Sequence, residues 1–113
     1  MRHNMKLQHA PFLSIQEGKK RIEMRLYDEK RALIQIGDEL EFTDVQTGDS
    51  ILCVVVALHC YKSFEELYKY HDKISIGYKE NELANPEDML TYYSKQEQEM
   101  YGVVGIEIEI CLL

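Results

Sequence analysis

The chain has 113 residues, 45% of them apolar and 29% charged, and a formal net charge of −7. This length and balance describe one globular domain, residues 1–113, with a single core. No apolar run nears the roughly 20 residues of a membrane-spanning helix, and an acidic chain is badly suited to the many phosphate contacts that duplex DNA binding requires.

The start, Met1 to Lys6, carries charge without an apolar stretch behind it. It does not read as a secretory signal, and a cytoplasmic protein is expected. Pro11, Phe12 and Ile15 predict a short first helix that Gly18 closes. Residues 20–26 then alternate, Ile22, Met24 and Leu26 against Arg21, Glu23 and Arg25, which is the period of a half-buried strand. Gly37-Asp38 is a turn before a strand carrying Leu40 and Phe42. Residues 46–49 read as a hairpin turn, and Ile51 to Leu58 as a long central strand. Ser63-Phe64-Glu65-Glu66 and Ser94-Lys95-Gln96-Glu97 are capping boxes, and Asn85-Pro86 is a third helix start. The chain closes with an alternating strand from Val103 to Leu112. Short helices between strand pieces, with no βαβ rhythm, predict an α+β fold: a small, mostly antiparallel β-barrel with short helices flanking its openings.

Charge is unevenly spread. Residues 1–31 hold eight of the thirteen Lys and Arg against four acids, whereas residues 32–113 hold five lysines against sixteen acids. The basic excess gathers in Gly18-Lys19-Lys20-Arg21-Ile22-Glu23-Met24-Arg25. Strand alternation places Arg21, Glu23 and Arg25 on one face. Lys20 has the apolar parity and reaches that face only from a turn, which Gly18 permits. Flanking cations keep Glu23 ionised. A lysine in a partly desolvated cleft can serve as a base, and an arginine fork suits phosphate or a base edge. The competing reading is a surface ion-pair ladder. A second cluster, residues 75–82, offers Tyr78 for stacking on a base and Glu80 or Glu82 as acceptors. Cys53, Cys60 and Cys111 lack CxxC spacing and the four histidines are scattered, so neither a disulfide framework nor a metal is expected. With no Gly-rich phosphate loop and no nucleophile elbow, no cofactor is expected either.

The chain resembles the ASCH domain family, whose fold is related to the PUA domain. Gly18, Lys20, Glu23 and Arg25 match the family's G-x-K-x-x-E-x-R motif. The likeness continues through Asp28, Lys30-Arg31, Ile36-Gly37-Asp38 and Phe42, then Ser63 to Tyr68, Gly77-Tyr78, Pro86 to Met89, Tyr92 to Ser94 and Gly102 to Ile106. The resemblance implies a barrel whose cleft is lined by the motif and binds RNA in transcription coactivation, RNA processing or translation. It also implies a possible amidohydrolase, since the family includes a small bacterial enzyme that deacetylates acetylcytidine through a lysine and a threonine of the motif and a later glutamate. Lys20 matches that lysine, Glu23 stands where the enzyme has its threonine, and the later glutamate falls near Glu80 or Glu82. A carboxylate is a poor acyl-transfer nucleophile. Three functions are therefore expected in this order. The first is binding of RNA or a modified nucleoside or nucleotide by Lys20, Arg21, Glu23, Arg25, Tyr78 and Glu80. The second is hydrolysis of an acylated nucleoside by Lys20, Glu23 and Glu82. The third is recruitment of a protein partner through an exposed strand edge. The chain is expected as a monomer or a homodimer.

Overall fold

The computed structural model describes residues 1–111. The strands are β1 (Arg2–Leu7), β2 (Ile22–Leu26), β3 (Glu39–Asp44), β4 (Ser50–Tyr61) and β5 (Val103–Ile110). The helices are α1 (His9–Gln16), α2 (Phe64–Tyr70) and α3 (Lys95–Tyr101), with 3₁₀ turns at Arg31–Leu33 and Pro86–Thr91. The expected end of the last strand at Leu112 lies outside the described residues.

The five strands form one sheet in the order β1-β3-β4-β5-β2. β1 runs parallel to β3 and every other neighbouring pair is antiparallel. The sheet is a half-barrel and not a ring: β1 and β2 stand at its two edges and do not pair with each other. The valine-rich β4 is central, as its apolar run predicts. β1 was not legible, because only Met5 and Leu7 of its six residues are buried.

Local signals place most of the helices. Ser63 Oγ accepts from the Glu66 N–H at 3.3 Å and starts α2. Ser94 and Glu97 form a complete capping box at α3. Asn85 Oδ1 accepts from the Glu87 N–H at 3.0 Å, but the segment after Pro86 winds as 3₁₀ and not as α-helix. In α1, Phe12 and Ile15 lie one turn apart on the buried side.

Apolar side chains pack on both faces of the sheet. One cluster joins Met5, Phe12, Ile15, Phe42, Val55 and Ile106 under α1. The other joins Ile22, Met24, Leu26, Phe64, Leu67 and Val103 under α2 and the second 3₁₀ turn. This two-sided burial decides the fate of β2. Its even residues enter the second cluster. Its odd residues Glu23 and Arg25 pair with Ile106 and Val104, which belong to the first cluster. Directly opposed residues point to the same side of a sheet, so Glu23 and Arg25 face the interior of the half-barrel.

Candidate functional site

The turn after α1 delivers Lys20. Gly18 adopts a φ of 78°, a left-handed angle that glycine takes without steric cost. The Ser14 carbonyl then accepts from the N–H groups of both Lys19 and Lys20, at 3.0 and 3.1 Å. The chain is thereby wound so that the Lys20 side chain turns inward despite its apolar strand parity. Its Nζ lies 2.7 Å from Glu23 Oε1. On the other side, Arg25 Nε donates to Glu23 Oε2 at 2.6 Å. The exposures of the Lys20, Glu23 and Arg25 side chains are 9%, 5% and 16%, which rules out the solvated ion-pair ladder.

Arg25 has a further task. Its Nη2 donates to the Lys6 carbonyl at 3.1 Å. One guanidinium thus ties the β2 edge to the end of β1 where no main-chain ladder closes the barrel.

Burial pushes the Glu23 pKa upward, but the adjacent Lys20 and Arg25 outweigh it and hold the carboxyl below its ordinary value. For Arg25, burial opposes the charge, and Glu23, with a smaller part from Tyr93, raises its pKa in spite of it. A carboxyl depressed in the folded state stabilises the protein fully above its ordinary pKa, and that stabilisation fades as the pH falls through the lower folded value. Urea midpoints should therefore decline on acidification below pH 4.5. The decline should be shallower in Glu23→Gln, and equal slopes would mean that Glu23 titrates as it does in the unfolded chain.

The triad sits at the floor of an open cleft of about 1120 Å³. One wall is α1, and the other is the loop of residues 74–82 with the second 3₁₀ turn. The loop is bound to itself. Lys73 Nζ donates to the carbonyls of Glu80 and Glu82, both at 2.7 Å. Gly77, with φ at 113°, lies against the stem of Lys20, and a Cβ there would stand 3.3 Å from Lys20 Cδ.

The predicted residues divide. Lys20, Glu23 and Arg25 come together. Arg21 is exposed and does not line the cleft, since it lies at the end of β2, where its carbonyl accepts from the Ile108 N–H. Tyr78 lines the cleft, but its hydroxyl donates to Asp88 Oδ2 at 2.6 Å and lies 3.0 Å from the Tyr68 hydroxyl, with the two rings edge to face. Burial and Asp88 raise its pKa. Its hydroxyl is thus already occupied. Glu80 and Glu82 are exposed on the rim, and Glu82 Oε1 is engaged by the Lys79 N–H at 2.6 Å. The Lys6 carbonyl, the Tyr92 ring and the contact of Gly77 with Lys20 are site features that the sequence reading did not provide. Tyr92 is exposed on the cleft rim. The cleft is lined by five cationic and five acidic side chains, so it is not the basic groove that the motif alone suggests. Among the described residues no group of three or more His, Cys, Asp or Glu is arranged to hold a metal ion, and no helix is long and apolar enough to cross a membrane.

A family model, that of the ASCH domain, matches residues 5–111. The chain belongs to the ASCH domain family. The match contains Gly18, Lys20, Glu23, Arg25 and every lining residue discussed above. Solved structures agree with the assignment. Hypothetical protein PH0355, known from a crystal structure, is 32% identical, covering 98% of this chain and all of that one, at a TM-score of 0.83. Protein PF0455 from Pyrococcus furiosus, known from solution NMR, is 32% identical over the whole of both chains, at 0.72. An ASCH domain from Lactobacillus crispatus JV V101 shares the fold at 15% identity and a TM-score of 0.65, covering 96% of this chain and 79% of that one. No curated protein sequence matches the chain. The half-barrel with short helices is thus the α+β, PUA-like ASCH fold.

Proposed function

We propose that this ASCH domain binds RNA or a modified nucleoside or nucleotide in the cleft, with Lys20 and Arg25 as the contacting cations. The buried Lys20–Glu23–Arg25 triad carries the reading. Glu23 holds both cations in place, so little rotamer freedom is lost when a ligand arrives. Lys20 spends one of its three ammonium donors on Glu23, and Arg25 spends Nε on Glu23 and Nη2 on the Lys6 carbonyl and also interacts with Tyr93, which leaves N–H donors over on both cations. These donors are available for a carbonyl or a phosphate oxygen. The balance of charges around the cleft favours a ligand of one or a few nucleotides over a long polyanion, with a shallow dependence on salt. The exposed Tyr92 ring is a better stacking platform than Tyr78, whose ring already packs edge to face with Tyr68.

The hydrolytic alternative draws less support from the same atoms. Glu23 is held ionised with both oxygens occupied, which makes it a weak base for activating water. Glu82, its partner in that scheme, is engaged by its own loop.

The test is calorimetric titration with nucleoside monophosphates and short single-stranded RNA. Arg25→Lys keeps the charge and loses the fork, and it should weaken binding by about tenfold or more. Unchanged affinity would remove Arg25, and with it the main support for this reading.

A further inference from the structure

We propose that the cleft reads the edge of a nucleobase through the main chain of Met24, whose N–H and C=O meet an adjacent acceptor and donor on the base. The inference rests on the nucleotide-binding reading above and deepens it.

The pairing of β2 carries it. Ile108 donates to the Arg21 carbonyl and Tyr27 donates to the Gly102 carbonyl, and the register between them sets Glu23 opposite Ile106 and Arg25 opposite Val104. In an antiparallel ladder, bonded pairs alternate with unbonded ones. Glu23 and Arg25 therefore spend their N–H and C=O groups on β5. The even residues Ile22, Met24 and Leu26 turn theirs away from it. The Ile22 N–H is taken by the Ser75 carbonyl at 2.9 Å. Leu26 does not line the cleft. Met24 does line it, is 9% exposed, and its main-chain groups have no hydrogen-bond partner among the described residues. A donor and an acceptor left unpaired side by side on the wall of a cleft are groups that a bound ligand can complete.

The surroundings choose the kind of ligand. An extended peptide could also pair with an open strand edge, but it needs a run of free groups. Here Ser75 covers the edge on one side of Met24, and the bond from Arg25 to the Lys6 carbonyl crosses the seam on the other. The Ile22 carbonyl and the main chain of Leu26 also lack a partner among the described residues but do not line the cleft, so one donor–acceptor doublet faces it, which fits a planar heterocycle. Uracil, cytosine, adenine and guanine each present an acceptor next to a donor, and the apolar rim of Pro11, Leu13 and Tyr92 can cover the ring faces.

The experiment is an amide-resolved NMR titration of the full chain with the four common ribonucleoside 5′-monophosphates. The tightest is then compared with its edge-methylated counterpart, for example UMP with 3-methyl-UMP, in which the ring N–H donor is lost at unchanged charge. The expected result is a shift and slowed exchange of the Met24 amide at saturation, with binding of the methylated form at least about tenfold weaker. If both forms bind equally and the Met24 amide does not respond while the amides of Lys20, Glu23 and Arg25 shift, the edge reading is overturned and the nucleotide site stands. If no monophosphate binds, both fall.

Discussion

Glu23→Gln is expected to destabilise the domain by about 3–5 kcal/mol, the usual cost of leaving buried charge without its counter-charge. Glutamine keeps the shape of the side chain and one acceptor oxygen. It removes the only carboxylate between an ammonium at 2.7 Å and a guanidinium at 2.6 Å. Those two cations then repel each other across a site with little solvent to screen them. The loss should appear in urea unfolding as a lower midpoint with an unchanged slope. Adding Lys20→Met should restore part of it, because one of the orphaned charges is then gone, and the double-mutant cycle reports the coupling directly. A loss below about 1 kcal/mol would mean that the triad is solvated like a surface pair.

Gly77→Ala should strike stability and binding together. At a φ of 113°, an alanine carries backbone strain of about 1–3 kcal/mol. Its Cβ would also stand 3.3 Å from Cδ, 3.6 Å from Cε and 3.7 Å from Nζ of Lys20. The lysine stem must give way, and its ammonium moves off the Glu23 oxygen. Gly48→Ala is the control. Its φ of 79° is strained in the same sense, but nothing lies within 4 Å of the added carbon. Both variants should melt earlier, and Gly77→Ala alone should lose nucleotide affinity, by about tenfold. Equal affinities would show that Lys20 adjusts without cost or takes no part in binding.

The contact between Gly77 and Lys20 could not be read from the chain. The two residues are far apart in sequence, and the mix of glycine, tyrosine and acids in residues 75–82 marks a binding loop without saying what its glycine touches. The capping residues Ser63 and Ser94 act on groups three residues away, so their helices were legible. The strand β1 was not, because its partner β3 begins more than thirty residues later and its own apolar content is two side chains. Without β1, neither the open seam of the barrel nor the role of the Lys6 carbonyl could be foreseen.

The sequence by itself determined the residue types of the site, the turn at Gly18 and the parity that sets Glu23 and Arg25 on one face of β2. These follow from short-range sterics and the two-residue period of a strand. Only the tertiary structure decided that this face turns inward, that Arg21 with the same parity lies outside at the strand end, and that Lys20 joins from the opposite parity. Alternation states which side chains share a face. Which face is covered depends on what packs there, and here that is an apolar interior assembled from β1, α1, β3, β4 and β5.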